Sequence, residues 1–372
     1  MNKKLTAIAV AAVLAAPAAQ AAPKVYGRLQ AEVAQVDNSA VGVIDRTWVV
    51  DNKMGRFGIK GSEDLGGGLK ALYLMEFGLE TTENVGSSNT LFDREKMVGL
   101  KIGKAHTVMA GALKSPYKYM AGVKYDTFVA TTLQARAGSS NINSNANGRT
   151  GGVMSSGALG HGGFVEDSIG YKGKFGNVLV WGNYSPDETS GDSSKSTALG
   201  VQAKMGSFQF GGALMSRASC ADDVGTNTGS LCGGGDVRAY DATKLFLSWS
   251  KKGHTIRGQF EATETDAGSS TATTDNTVTE TDFVYLNYQF KMGKHLIDVA
   301  VGEADQQLSG VTVSTAAQSS SDVDWSRVAY AYNFSKKTRV FAGYASRDDK
   351  GTTTTSSDND TDIISLGMTV KF

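Results

Sequence analysis

From Ile364 to the end the chain alternates without a break. Ile364, Leu366, Met368, Val370 and Phe372 are apolar, and Ser365, Gly367, Thr369 and Lys371 between them are polar or small. A period of two is the mark of a strand with one apolar and one wet face. The same signature recurs along the chain. It predicts sixteen strands, near 25–37, 56–64, 69–82, 92–102, 106–114, 166–173, 177–185, 197–205, 208–217, 242–251, 254–265, 282–291, 295–305, 326–335, 338–347 and 362–372. In 282–291 one face holds Val284, Leu286, Tyr288 and Phe290; in 326–335 one face holds Val328, Tyr330, Tyr332 and Phe334. Neither face carries a charge. Most strands have the roughly 9–11 residues that a tilted strand needs to cross a bilayer.

The gaps alternate as well. DLGGG, GKA, GKFGN, MGS, KKG, KMGK and SKKT are tight turns, and the connections between them are long and rich in Ser, Thr, Asp, Asn and Gly. Short turns at one rim and long loops at the other belong to an up-and-down barrel of the outer-membrane type. Proline placement agrees: Pro17, Pro23, Pro116 and Pro186 all avoid strand interiors, where the ladder needs every N–H. A last strand ending on Phe372 would leave an open edge. Pairing it with the first, VYGRLQAEV, closes the barrel and removes the edge. The fold expected is therefore all-β, a transmembrane antiparallel barrel of sixteen strands, wide enough for a water-filled bore. Trp249, beside the KKG turn, suits an interfacial aromatic belt.

The N-terminus fixes the compartment. Lys3 and Lys4, an apolar run from Leu5 to Ala16, and Ala19-Gln20-Ala21 make a secretory leader over residues 1–21, with the barrel over 22–372. Removing Lys3 and Lys4 from 37 basic residues leaves 35 against 37 acidic ones, a net charge of −2. No basic excess points to nucleic acid. Export permits disulfides, and a local bond between Cys220 and Cys232, across a Gly-rich stretch, is preferred to a metal site, which needs more ligands.

The loop after the fifth strand runs over 115–165, longer than any other gap. A loop of that length needs a functional account. Its first part, PYKYMAGVKYDTFVA, is too aromatic for a solvated tail; its later part, SSNINSNANGRTGG, is polar.

Val25-Tyr26-Gly27-Arg28, the run Gly55 to Gly61 (GRFGIKG) with Glu63-Asp64-Leu65-Gly66, Arg94 with Val98-Gly99-Leu100-Lys101, and the terminal Phe372 together resemble the trimeric general porins of Gram-negative outer membranes. The resemblance covers the mature chain. It implies a homotrimer of sixteen-stranded barrels, with loop three, here 115–165, folded into the bore. It implies passage of ions and small hydrophilic solutes, contact with outer-membrane lipid and lipopolysaccharide, and recognition of Phe372 by the outer-membrane assembly machinery. It also implies that Arg28, Arg56 and Arg94 line the constriction, with an opposing acid from loop three, for which Asp126 is the candidate.

Parity supports part of this. Arg28 alternates with Leu29, and Arg56 with Phe57, which take the lipid face. Arg94 shares its parity with Val98 and Leu100, so a bulge is needed to turn it inward. Lys114, Lys118 and Lys124 lie in or beside the same loop and leave the sign of selectivity open. No H-E-x-x-H, P-loop or G-x-S-x-G supports an enzyme, and no cofactor or metal is expected. His106, His254 and His295 each follow a short turn, as rim residues do; His161, in the long loop, lacks neighbouring ligands. The competing readings are a secreted all-β binding protein or adhesin, and a channel selective for sugars or phosphate.

Overall fold

The structure, a computed structural model, describes residues 20–38, 46–51, 55–79, 82, 91–136, 153–154, 164–186, 195–217, 240–268, 275–311, 321–351 and 360–372. Cys220, Cys232, His161 and residues 1–19 of the leader expected over 1–21 lie outside these residues; Gln20 and Ala21 begin the first strand.

One sheet contains the described strands: β1 (Gln20–Asn38), β2 (Arg46–Asp51), β3 (Arg56–Gly66), β4 (Leu69–Leu79), β5 (Leu91–Ile102), β6 (His106–Leu113), β7 (Val165–Phe175), β8 (Val178–Ser185) and β9 (Ser196–Met205). It continues through β10 (Phe208–Arg217), β11 (Tyr240–Lys251), β12 (His254–Gly268), β13 (Asp275–Met292), β14 (His295–Val311), β15 (Ser321–Asn333), β16 (Thr338–Gly351) and β17 (Thr361–Lys371). A helical turn, α1 (Pro116–Tyr119), follows β6. From β3 to β17 each strand pairs antiparallel with the next in sequence, and β1 pairs with β17 from Arg28↔Lys371 to Asn38↔Thr361. The other side of β1 pairs with β2 and β3, so the ring is closed.

The expected strands are all present. The one strand not anticipated is β2, whose six residues pair with the far half of β1, Glu32↔Asp51 to Asp37↔Arg46. β3 pairs with its near half, Arg28↔Arg56 and Val25↔Ile59. β2 and β3 thus form one stave in two pieces, and seventeen strands make sixteen staves.

The two faces separate as the alternation requires. On β17, Thr361, Ile363, Ser365 and Thr369 are buried and face inward, while Ile364, Leu366, Met368 and Val370 are exposed on the outer face. Leu245, Val284, Leu286, Val301 and Val328 extend that outer apolar band around the barrel. The band ends toward the long-loop rim, where the outward positions of β11–β15 turn acidic. There Asp241, Glu264 and Glu280 stand side by side across β11, β12 and β13. Asp282, Asp305 and Asp322 do so across β13, β14 and β15. Carboxylates at these outward positions mark where hydrocarbon gives way to water.

Candidate functional site

Among the described residues, loop 115–136 is the most buried stretch of irregular chain. Ser115 starts it, its side chain accepting the Lys118 N–H at 3.0 Å, and Pro116 takes the first helical position of α1. The segment then touches the inward faces of many strands in turn. Tyr117 Oη donates to Glu261 Oε2 at 2.8 Å, and Lys244 Nζ donates to the Tyr117 carbonyl at 2.6 Å. Gln259 Oε1 accepts the Gly122 N–H at 2.6 Å, and Gln289 Nε2 donates to Thr127 Oγ1 at 2.8 Å. At the far end, Glu32 of β1 accepts both the Thr132 N–H at 3.0 Å and its hydroxyl at 2.9 Å. A segment bonded to β11, β12, β13 and β1 at once lies within the ring.

Small residues on the wall make room for it. A Cβ placed on Gly343 would lie 2.7 Å from Leu133 Cδ1, and one on Gly302 would lie 2.5 Å from Val153 Cγ2. Both glycines sit at inward positions of β16 and β14, so the loop packs where the barrel offers no side chain. Phe128 meets Phe341 edge-on at 5.7 Å.

These bonds run to β1, β11, β12 and β13, and the arc of β3–β7 continues the wall beside them. Arg56 and Arg94 converge on this arc at Glu76 Oε1, at 3.8 and 2.7 Å, and Tyr26 Oη donates to Glu76 Oε2 at 2.9 Å. Arg28 is the register partner of Arg56 and donates to Gln30. Arg94 turns inward because β5 carries an extra residue at this point: Met75 pairs with Lys96 but Phe77 pairs with Asp93, so Arg94 and Glu95 together oppose Glu76. Further along, Lys114 pairs with Glu95. Lys172 Nζ lies over the Trp181 ring at 4.2 Å.

Asp126 is not an open acid facing these arginines. It is buried, and Arg327 Nη1 donates to its Oδ1 at 2.6 Å. Asp298 holds the same guanidinium at 2.7 Å. Asp126 also accepts the N–H of Phe128 at 3.0 Å and of Ala135 at 2.9 Å, which folds the loop around it. The reason is the company it keeps: a carboxylate shut away from water needs a full set of donors, and Arg327 with two backbone amides supplies it.

Glu76, Glu32 and Glu261 were not singled out by the sequence reading. Glu76 is the one acid of β4, and that isolation was the available signal; Glu32 and Glu261 share their strands with other polar and acidic residues.

Lys118, on α1, is buried with its ammonium 4.1 Å over the Phe164 ring. Burial, reinforced by Arg136, Arg94 and Lys114 and opposed by Glu95, pulls its pKa down to about 6.

The profile of the Gram-negative porin family matches residues 6–352. A major outer membrane protein P.IB of Neisseria gonorrhoeae is 34% identical over 124 residues, covering 32% of this chain and 34% of that protein. The chain thus matches about a third of the length of this curated relative. In fold, it is similar to the anion-selective porin of Comamonas acidovorans, with a TM-score of 0.70 at 20% identity, covering 94% of this chain and 99% of that one. OmpT of Vibrio cholerae with loop L8 deleted gives 0.65 at 16% identity, over 94% and 99% of the two chains. Salmonella typhi OmpF in complex with daunomycin gives 0.61 at 14% identity, over 94% and 97%. With a family match along nearly its whole length and a closed barrel of sixteen staves, the chain belongs to the Gram-negative porin family.

Proposed function

We propose that this protein is a water-filled outer-membrane channel for passive diffusion of ions and small hydrophilic solutes, that it works as a homotrimer, and that it favours anions. The observation that carries the reading is the unequal lining of the wall of β3–β7 and the adjoining Arg28 of β1. Arg28, Arg56, Arg94, Lys114 and Lys172 stand there, and the acids among them, Glu76 and Glu95, are engaged with Arg94 and Lys114. The loop acid that would balance them, Asp126, is spent on Arg327. Selectivity in a pore follows from its narrowest width and the charges at that width, and arginine keeps its charge in any surroundings.

Loop 115–136 supplies the narrowing by lying across one side of the bore. Phe372 serves as the mark for the outer-membrane assembly machinery, and lipopolysaccharide surrounds the acidic long-loop rim. Cys220 and Cys232 form an extracellular loop disulfide, which mass spectrometry of protein prepared without reductant checks. For the channel itself, the test is single-channel recording in planar bilayers with a salt gradient. Discrete conductance steps and a reversal potential of anion sign are expected. Absence of steps from folded protein overturns the channel, and a cation sign overturns the charge assignment alone.

A further inference from the structure

The short-turn rim repeats one arrangement three times. His254 opens β12 and its Nδ1 lies 2.8 Å from Tyr288 Oη. His295 opens β14, with Nδ1 2.7 Å from Tyr330 Oη. His106 opens β6, with Nδ1 2.8 Å from Tyr171 Oη. In each case a second ring closes on the imidazole: Phe290 at 4.6 Å, Tyr332 at 5.1 Å and Phe175 at 5.2 Å. The three histidines take the outward parity, in line with Ile256, Ile297 and Val108 of the apolar band.

The same rim is basic out of proportion to the chain. Lys251 and Lys252 flank His254, Lys291 and Lys294 flank His295, and Lys104 and Lys174 flank His106; all six are exposed. No acidic residue occurs in 101–106, 172–178, 203–209, 249–255, 290–296 or 332–339. The β3–β4 turn is the exception, with Glu63 and Asp64, the latter paired with Lys70 at 3.0 Å. The sequence as a whole has 37 basic and 37 acidic residues, so the other short turns are basic against an even balance.

We infer that the short-turn rim is a binding surface for anionic phospholipid headgroups of the periplasmic leaflet. The inference rests on the outer-membrane reading, which sets this rim in that leaflet. Geometry and chemistry then fit one occupant. The acyl chains lie along the apolar band, which is continuous with the rim. A phosphodiester at headgroup depth meets lysine ammonium groups, worth about fivefold in affinity each near a membrane surface. In the tautomer in which the tyrosine hydroxyl donates to Nδ1, the imidazole proton sits on Nε2 and can donate to a phosphate oxygen. Zwitterionic lipid carries the same phosphate but adds an ammonium that the lysines repel, so the surface discriminates by net charge.

The test uses the purified full chain in detergent micelles, titrated separately with dioleoyl phosphatidylglycerol and dioleoyl phosphatidylcholine, with bound lipid counted by native mass spectrometry. Phosphatidylglycerol is expected to bind at least about tenfold tighter, and its binding alone is expected to weaken as salt rises. That salt arm needs no variant and so survives any failure of folding. Lys251→Gln with Lys252→Gln should weaken phosphatidylglycerol binding by about fivefold per charge removed. His254→Phe with His295→Phe, which keeps the rings, should weaken it by about fivefold per lost hydrogen bond. Asp322→Asn, at the opposite rim, should leave it unchanged. Equal retention of the two lipids, or no response to salt and to both rim variants, overturns the inference. Single-channel conductance of the same preparations reports on the channel separately, since none of these residues faces the bore.

Discussion

Arg327 of β15 and Asp126 of the inner loop form a buried ion pair at 2.6 Å across 201 residues of sequence, with Asp298 completing the set. The pair makes Asp126 a fastening of the loop and not a source of field in the lumen. Removing one member of a buried pair typically costs about 3–5 kcal/mol when the other charge is stranded. Here Asp298 stays on Arg327, so the cost is smaller.

Asp126→Asn is therefore expected to fold, to lose thermal stability by less than that 3–5 kcal/mol, and to show noisier open-channel current as the loop loosens. Its reversal potential should barely move. A shift as large as that of a lining arginine, with quiet current, would show that Asp126 faces the permeating ions.

Arg56→Ser should move permeability toward cations. A unit charge at 4 Å in water is worth about 1 kcal/mol, which sets a change of about fivefold as the upper end in the permeability ratio. The shift should shrink near 1 M salt, where screening falls to about 3 Å. Glu76→Gln should act in the opposite direction, since it frees Arg56 and Arg94 from their shared acid. Reversal potentials measured at low and high salt decide both.

Lys118 gives the pore a pH dependence. Its folded pKa of about 6 lies below the ordinary lysine value of 10.5, so it is charged below about pH 6 and neutral above. Anion preference should fall as pH rises through about 6, and Lys118→Met should remove that step. The sign for stability follows from proton counts. Between the two values the unfolded chain holds a proton that the folded chain lacks, so stability rises with pH across that window. The Met variant should gain more thermal stability over the parent at pH 5 than at pH 8.

The seam of the barrel depends on its last residue. Phe372 and Gly27 exchange two backbone hydrogen bonds, at 3.2 and 3.3 Å, and a Cβ on Gly27 would lie 2.1 Å from Phe372 Cζ. Deleting Phe372 removes both bonds, about 1 kcal/mol each, and Gly27→Val displaces the ring. Both variants should be exported normally but yield less heat-modifiable barrel in the membrane fraction. Equal barrel yield on gels of unheated samples would separate Phe372 from assembly.

The sequence by itself determined the staves, their faces and the closure. Side-chain direction in a strand is a local property with a period of two, and hydrocarbon outside leaves no choice about which face is apolar, so Leu366 and Val328 declare the outside without reference to any partner. Parity also placed Arg28 and Arg56 inward and named the bulge that Arg94 would need, which the Met75–Lys96 and Phe77–Asp93 pairings supply. Only the tertiary structure decided what those inward groups meet. β2 was missed because six residues carry too few periods to stand out. Glu76, Glu32 and Arg327 gain their roles from contacts with residues 18, 100 and 201 positions away, which depend on strand stagger and on the path of loop 115–136 across the bore. A repeating pattern says which way a residue points; it does not say what stands opposite at the same height, and that is what turned Asp126 from a lining charge into a pin.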